Sequence, residues 1–457
     1  MEERQEVIEE KIKFIKNILP GTLKSLSLIP DPRQPQRIKH AFRTLMCYGI
    51  IMFLYQIASR REANREITLP IIFENLRTIF PEFVTMPHAD TLARLLERIS
   101  VEEIRTEAGN IIYKFIRNKK FVNLLVNKGY TIAIDGSSKM SRDQKWSIEC
   151  LEKKVRKSKD DLGVDKNIYF AYVVEACFVF QGGIVLPFES EFLEYSPDVT
   201  GEKKKDCELK GFKRLVERIY KRFPKLKIVI VADGLFANGP AMALLKEKKW
   251  GYMIALKDDS LKTVWASFNE NMKIEKECNT VNQKWGNREQ IFCWSNEIDY
   301  KYEENGSKKS LVLNIVVCEE TWEETKSTGE IEKKYIKFAW ISSCPIKKKS
   351  IHSRCNLVAR ARWGIESNFL IEKHYGYSYE HCFSYTWNAM KGYHYLMHIA
   401  HIINVLMFNT EFFKEKAHLK TMRGLIKYIK ETLNAAILDK KRIFEVQNRK
   451  HQIRFIF

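Results

Sequence analysis

Three acidic residues, Asp135, Asp233 and Glu366, stand in surroundings that could do chemistry. The two aspartates each follow a short apolar run rich in β-branched residues, Tyr130–Ile134 (YTIAI) and Lys227–Ala232 (KIVIVA), and each precedes a glycine. In sheets that contain parallel strands, the carboxyl ends of the strands form the edge where sites are built. Two such aspartates could sit side by side; each could equally open an Asp-Gly turn. Glu366 lies in ARWGIESNFLIEK, with Arg362 four residues before it and Lys373 seven after. Those offsets put all three on one helical face. Alone, the spacing describes a solvated ion pair. Ile365, Phe369 and Leu370 in the same segment argue for a helix packed on a sheet, with Glu366 aimed at the strand ends. Three carboxylates in one pocket repel one another unless a cation is present. Mg²⁺ is the fitting cation, since it takes oxygen ligands and shares them with phosphate. Two such ions about 4 Å apart can clamp the attacking and leaving oxygens of an in-line phosphodiester reaction.

The elements that must hold these residues are legible in outline. Residues 1–125 read mostly helical, with apolar positions at helical spacing in 6–17, 39–58 and 100–116. Ile168–Phe180 and Ile184–Phe188 flank Gln181-Gly182-Gly183, a hairpin signal. A basic amphipathic helix spans Lys205–Phe223, stopped by Pro224. Pro240–Lys249 reads helical and Trp250–Leu256 as a strand. From about 266 to 336, charged alternating stretches separated by Asn305-Gly306 and Gly329 read as antiparallel strands of an inserted β-rich subdomain. Phe338–Ser342 returns to a buried strand, Ser350–Glu372 reads as one long helix, an apolar helix covers about 388–407, and a basic helical tail covers 411–457. The 98 residues from Asp135 to Asp233 accommodate a hairpin and a helix. The 133 from Asp233 to Glu366 are too many for one helix and one strand, so an insertion is required there.

This order of strand–Asp135, hairpin, helix, strand–Asp233, β-rich insertion and helix–Glu366 resembles the ribonuclease-H-like core of DDE transposases. It most resembles the insertion-sequence group whose β-rich subdomain lies between the second Asp and the Glu. That group carries a Tyr-x2-Arg-x3-Glu-x6-Lys signature. Arg362, Glu366 and Lys373 match its spacing, and Ala359 stands at the Tyr position. Its first motif is often Asp-Gly-Thr; here Asp135-Gly136-Ser137 keeps the hydroxyl. The stretches FESEFLEYSPD, DCELKGFKRL and ADGLFANGPAM are also similar to this group, and the likeness covers about residues 30–405.

The resemblance implies an α/β fold: a ribonuclease-H-like mixed sheet with flanking helices, an inserted β-rich subdomain, and helical N- and C-terminal regions. The implied boundaries are a DNA-binding region at 1–125, a catalytic core in two parts at 126–265 and 337–410, the insertion at 266–336, and the tail at 411–457. It implies a transposase that cuts transposon ends and joins the 3′-OH to target DNA, by cut-and-paste. Asp135, Asp233 and Glu366 would hold two Mg²⁺ ions, with Mn²⁺ able to substitute. Arg362 and Lys373 would contact phosphates near the scissile bond. Partners would be double-stranded DNA, as terminal inverted repeats and target, and a second copy of the chain in a synaptic complex. Two rivals stay open: a ribonuclease-H-like nuclease that cuts without joining, and a degenerate or domesticated DNA-binding protein, kept alive by Ala359.

Charge agrees with a polyanionic partner. The chain has 457 residues, with 77 Lys+Arg against 57 Asp+Glu for a net charge of +20. Such an excess speaks to partners and not to fold. Between Pro345 and Ile365 there are six basic residues (Lys347, Lys348, Lys349, Arg354, Arg360 and Arg362) and no acid. Residues 201–225 hold ten basic residues against four acids, and the tail twelve against five. Contacts of this kind give sequence-independent affinity with a steep salt dependence; the bland alternative is a set of solvated faces. Trp285, Trp294 and Trp322 in the insertion are candidates for stacking on a flipped base, or for a small β core. His394, His398 and His401 form an i, i+4, i+7 stripe that could hold zinc, but no H-E-x-x-H accompanies it and the helix is otherwise apolar, so packing is the expected role. Ten cysteines without a C-x-x-C pair read as reduced thiols. The charged N-terminus lacks a signal-like apolar segment, and the longest apolar run, Leu45–Ala58, is short of the roughly 20 residues that span a membrane. The expected setting is cytoplasmic and nucleoid-associated, bacterial or archaeal, without a membrane. No G-x-G-x-x-G or phosphate-loop motif is present.

Overall fold

The computed structural model describes residues 2–155, 166–195, 206–416 and 421–456. Ten strands form one sheet: β1 (Tyr130–Arg142), β2 (Leu151–Val155), β3 (Lys166–Val179), β4 (Val185–Leu193), β5 (Ile228–Ala232), β6 (Gly251–Ala255), β7 (Thr280–Trp285), β8 (Arg288–Glu304), β9 (Ser307–Thr325) and β10 (Ile331–Ser342). β4, β3 and β1 pair antiparallel, while β1, β5 and β6 run parallel, in the spatial order β4-β3-β1-β5-β6. That order and polarity is the ribonuclease-H-like sheet. The hairpin turn between β3 and β4 uses Gly182 and Gly183 at φ of +80° and +77°, a left-handed conformation that glycine adopts without a Cβ penalty.

The charged, alternating segment after residue 266 begins with a helix, Lys262–Glu275, and then supplies β7–β10. These strands extend the core sheet and do not form a separate one. β10 pairs with β9 along its whole length and with β6 through Trp340, Ile341 and Ser342. Its first half is exposed and alternating, and its last four residues are buried, which is why the sequence divides it at about 336.

Residue parity assigns the two faces of the sheet, because successive strand side chains point to opposite sides. Ile132, Ile134, Ile230, Ala232 and Ile254 face a core closed by the helices Glu208–Arg222 and Gly239–Glu247. Ala133, Cys177, Val231, Met253 and Trp340 face a second core closed by Ile351, Cys355, Val358, Ile365 and Phe369. Asp135 and Asp233 share the parity of Ala133 and Val231, so they point to the second face.

The segment covering that face departs from one long helix. It winds as a wide π-type turn over His352–Val358, tightens over Ala359–Arg362, and becomes α-helical over Trp363–His374. The apolar run at 45–58 is the helix Phe42–Leu54, buried on every side by the N-terminal helices and the long helix Trp387–Phe408. Among the described residues no helix is long and apolar enough to cross a membrane. The C-terminal tail forms short helices that pack back on the first ones. Its basic residues pair with N-terminal acids: Lys416 with Glu3 and Glu6, Lys430 with Glu66, Lys440 with Glu74, and Arg442 with Glu9. That intramolecular pairing engages four of the tail's basic residues. Residues 196–205, which hold part of the basic run at 201–225, lie outside the described residues.

Candidate active site

The Asp135-Gly136 dipeptide is not a turn. β1 continues through it to Arg142, and Asp135 lies opposite Glu175 of β3. What ends there is the pairing with β5, whose last register pair is Ile134 with Ala232. Asp233 follows directly and opens a short turn over Gly234–Phe236. The parallel register therefore sets Asp135 and Asp233 side by side at the carboxyl ends of neighbouring strands. A Cβ on Gly136 would lie 2.6 Å from the Tyr172 ring, so a residue without a side chain is needed beside Asp135.

Arg362 brings in the third carboxylate. Its Nη1 is 2.7 Å from Glu366 Oε1 and 3.9 Å from Asp135 Oδ2. Exposure rises outward across the set, with the side chains of Asp135, Asp233 and Glu366 at 23%, 33% and 51%. Burial pushes the Asp135 carboxyl up to about 6; the Asp233 and Glu366 charges add to this, against the Gly136 amide and the Arg362 guanidinium. Burial works in the same direction on Asp233, but the Gly234 amide and the Lys257 ammonium, 3.2 Å from Oδ2, outweigh it and hold this carboxyl below the usual range. A pair of adjacent carboxylates thus has its affinities for protons pushed apart.

The donor set suits a hard divalent cation. All three groups are oxygen donors, Arg362 lies between Asp135 and Glu366, and Lys257 lies against Asp233. Lys257 was not singled out in the sequence. It follows β6, the third parallel strand, by the same strand-end logic that picks out the two aspartates.

The other residues expected at the site divide. Lys347, Lys348 and Lys349 are exposed on the turn leading into the π-type segment. Lys373 pairs with Glu380 at 2.9 Å and lies over the Tyr379 ring, so it turns toward the loop after its helix. Arg360 is not on the DNA-accessible surface. It is buried, ion-paired with Glu320 of β9, and its guanidinium lies over the rings of Trp285, Phe338, Trp340 and Trp363. Periodicity could not reveal this, because the partner comes from the insertion. Trp294 is buried in the second core, while Trp285 and Trp322 are capped by Arg360 and Arg288. Trp363, next to Arg362 in the chain, is 37% exposed and packs edge-on against Phe338. Ala359 is buried in the second core.

A family model described as "Transposase DDE domain" matches residues 198–403, which include Asp233 and Glu366, and one described as "DDE_Tnp_1-associated" matches residues 23–110. No curated protein matches the chain. Among solved structures, a piggyBac transposase synaptic complex with hairpin DNA aligns over 96% of this chain and 84% of its own, at 13% identity and a TM-score of 0.39. The two family models together span most of the chain and support a DDE-type transposase.

Proposed function

We propose that this chain is an insertion-sequence transposase that cuts the ends of its element and joins the freed 3′-OH to target DNA, by cut-and-paste. The observation that carries this reading is the parallel register of β1 and β5, which sets Asp135 beside Asp233, with Glu366 tied to Asp135 through Arg362. Asp135, Asp233 and Glu366 would hold two Mg²⁺ ions, for which Mn²⁺ would substitute. Ions held there supply Lewis-acid activation of the attacking oxygen and charge neutralisation at the phosphate.

The chain's own residues do the rest. Arg362 lies between two of the carboxylates, Asp135 and Glu366; freed from Glu366, its guanidinium offers a two-pronged donor to a phosphate. Lys257 keeps Asp233 ionised. Lys347, Lys348 and Lys349 line the approach as point charges for the DNA backbone, and Lys373 adds one on the far side of the glutamate helix. Trp363 is sited to stack on a base near the cut. Helices at 1–125 would read the terminal repeats, and two copies would assemble on paired ends. The setting would be the nucleoid of a bacterium or archaeon.

The test is a joining assay. Purified chain, a labelled duplex with the DNA flanking the gene, a supercoiled target and Mg²⁺ are incubated together. Cleavage at the element end followed by label in the target supports the proposal. Cleavage with no joined product moves the reading to a nuclease, and binding without cleavage in Mg²⁺ or Mn²⁺ moves it to a DNA-binding protein.

A further inference from the structure

Behind the three carboxylates lies a second polar cluster that strand transfer does not use. The long helix Trp387–Phe408 carries His394 and His398 one turn apart, on a face turned to the sheet. Opposite them is Glu175 of β3, and beside them Glu372 of the glutamate helix. Each of these four side chains is at most 2% exposed. His394 Nε2 is 3.5 Å from Glu175 Oε1, His398 Nε2 is 3.4 Å from Glu175 Oε2, and His398 Nε2 is 3.6 Å from Glu372 Oε1.

These separations are too long for charge-assisted hydrogen bonds, which close to about 2.7–2.9 Å. Taken to whichever carboxylate oxygen is nearer, they approach the roughly 3.4 Å edge of a tetrahedron around an ion with bonds of about 2.0–2.1 Å. One ligand atom from each of Glu175, His394 and His398 lies within 4.8 Å of the others. Glu175 Oε2, Glu372 Oε2 and His398 Nε2 are buried without a hydrogen-bond partner. Buried orphans of this kind are expensive, and two of them, Glu175 Oε2 and His398 Nε2, stand 3.4 Å apart, which marks a missing partner between them.

We infer that Glu175, His394 and His398, closed by Glu372, form a structural zinc site distinct from the Mg²⁺-binding carboxylates. Two imidazoles and two carboxylates are a zinc donor set, and two histidines at i, i+4 are a recurrent zinc pair. Two carboxylates and two neutral imidazoles balance the charge of Zn²⁺ within the ligand set, and the buried Lys139 ammonium lies over the Tyr379 ring beside it. The groups behind the ligands are ordered as a metal centre requires. The Tyr379 hydroxyl donates to Glu175 Oε1 at 2.7 Å, and His401 Nδ1 shares a hydrogen bond with Glu372 Oε1 at 2.7 Å. Ser190 Oγ, 3.0 Å from His394 Nε2, would turn to accept from His398 Nδ1, 3.4 Å away. The ion would staple three elements: β3 at the position opposite Asp135, the helix carrying Glu366, and the long helix of the core. With no opening to solvent, it would enter during folding and leave only on unfolding.

Metal content of the full chain tests this. After gel filtration with EDTA at neutral pH, mass-spectrometric analysis should find about one zinc per folded chain, released once the chain is unfolded. The double variant Asp135→Asn/Asp233→Asn should keep that zinc, which separates it from the carboxylate site. His394→Gln and His398→Gln should each lose it. Chain refolded with Co²⁺ should show the intense visible absorption of four-coordinate cobalt. Trace zinc in the wild type, with no cobalt spectrum after refolding, overturns the inference. So does zinc that the histidine variants retain. If those variants do not fold, the wild-type stoichiometry and cobalt spectrum decide by themselves.

Discussion

Arg360→Met separates two meanings of one basic residue. Arg360 is ion-paired with the fully buried Glu320, which also accepts from Arg288 Nη1 at 2.8 Å and from Gln290. Removing one partner of a buried pair costs about 3–5 kcal/mol, because the other charge is left behind. Arg288 keeps a hold on Glu320, and a methionine chain fills much of the slot between Trp285 and Phe338, so the lower end, about 3 kcal/mol, is expected. Adding Glu320→Gln removes the stranded charge. The double variant should recover much of the loss, a coupling that a thermodynamic cycle measures directly. Denaturant melts of the wild type, both single variants and the double variant supply the energies. Non-specific DNA binding over a salt series supplies the other half, since each phosphate contact contributes about 0.9 to the log–log slope. The structure predicts a large loss of stability and an unchanged slope. A stability change within about 0.5 kcal/mol together with a slope smaller by about 0.9 would refute the buried-pair reasoning and return Arg360 to the DNA surface.

Further outcomes follow from other parts of the fold. Replacing Lys347, Lys348 and Lys349 by Ala should cut the salt slope by up to about 2.7 while leaving the melting curve nearly unchanged; an unaltered slope would take the lysines off the DNA path. Gly364→Ala places a methyl 2.8 Å from Val179 Cγ1, lifting the glutamate helix off the β3–β4 hairpin. A loss of about 1–3 kcal/mol, relieved by Val179→Ala, is expected in denaturant melts despite the better helix propensity of alanine. Lys11 is buried over the Tyr55 ring, and burial lowers its ammonium to about 7 from an ordinary 10.5. Below pH 7 the native chain carries the full cost of that buried charge; between 7 and 10.5 the unfolded chain binds the extra proton, so stability rises with pH. Lys11→Met should therefore be more stable than the wild type by roughly 3–5 kcal/mol at pH 6, with the gap closing as pH passes 10; a gap that does not change with pH would show that the ammonium is solvated.

Much of the core was legible because it rests on local patterns. The runs before Asp135 and Asp233, the Gly182-Gly183 turn and the long apolar helix each declare themselves within a dozen residues. What escaped depends on partners distant in sequence. Asp135-Gly136 has turn chemistry, but β3 on one side and the Tyr172 ring over Gly136 keep β1 extended. The strands after residue 266 look detached because their outer halves are solvated, yet Trp340–Ser342 hydrogen-bonds to β6 and fuses them to the sheet. The segment 350–372 reads as one helix, since π-type and tight turns share its apolar spacing. Arg360 reads as a free cation because Glu320 lies 40 residues upstream on β9. The histidine stripe reads as packing because Glu175 and Glu372, the acids that lie against it, come from two other elements.

If Asp135, Asp233 and Glu366 act as one divalent-cation site for DNA strand cleavage, each of the three is needed for the same metal-dependent step. The most direct measurement is Mg²⁺-dependent cleavage of a labelled element-end duplex by the wild type and by Asp135→Asn, Asp233→Asn and Glu366→Gln, each shown to fold and to bind DNA. Cleavage by the wild type, falling to background in all three variants, is the predicted result. Any one of the three cutting at the wild-type rate would contradict the account, because that residue would then lie outside the site.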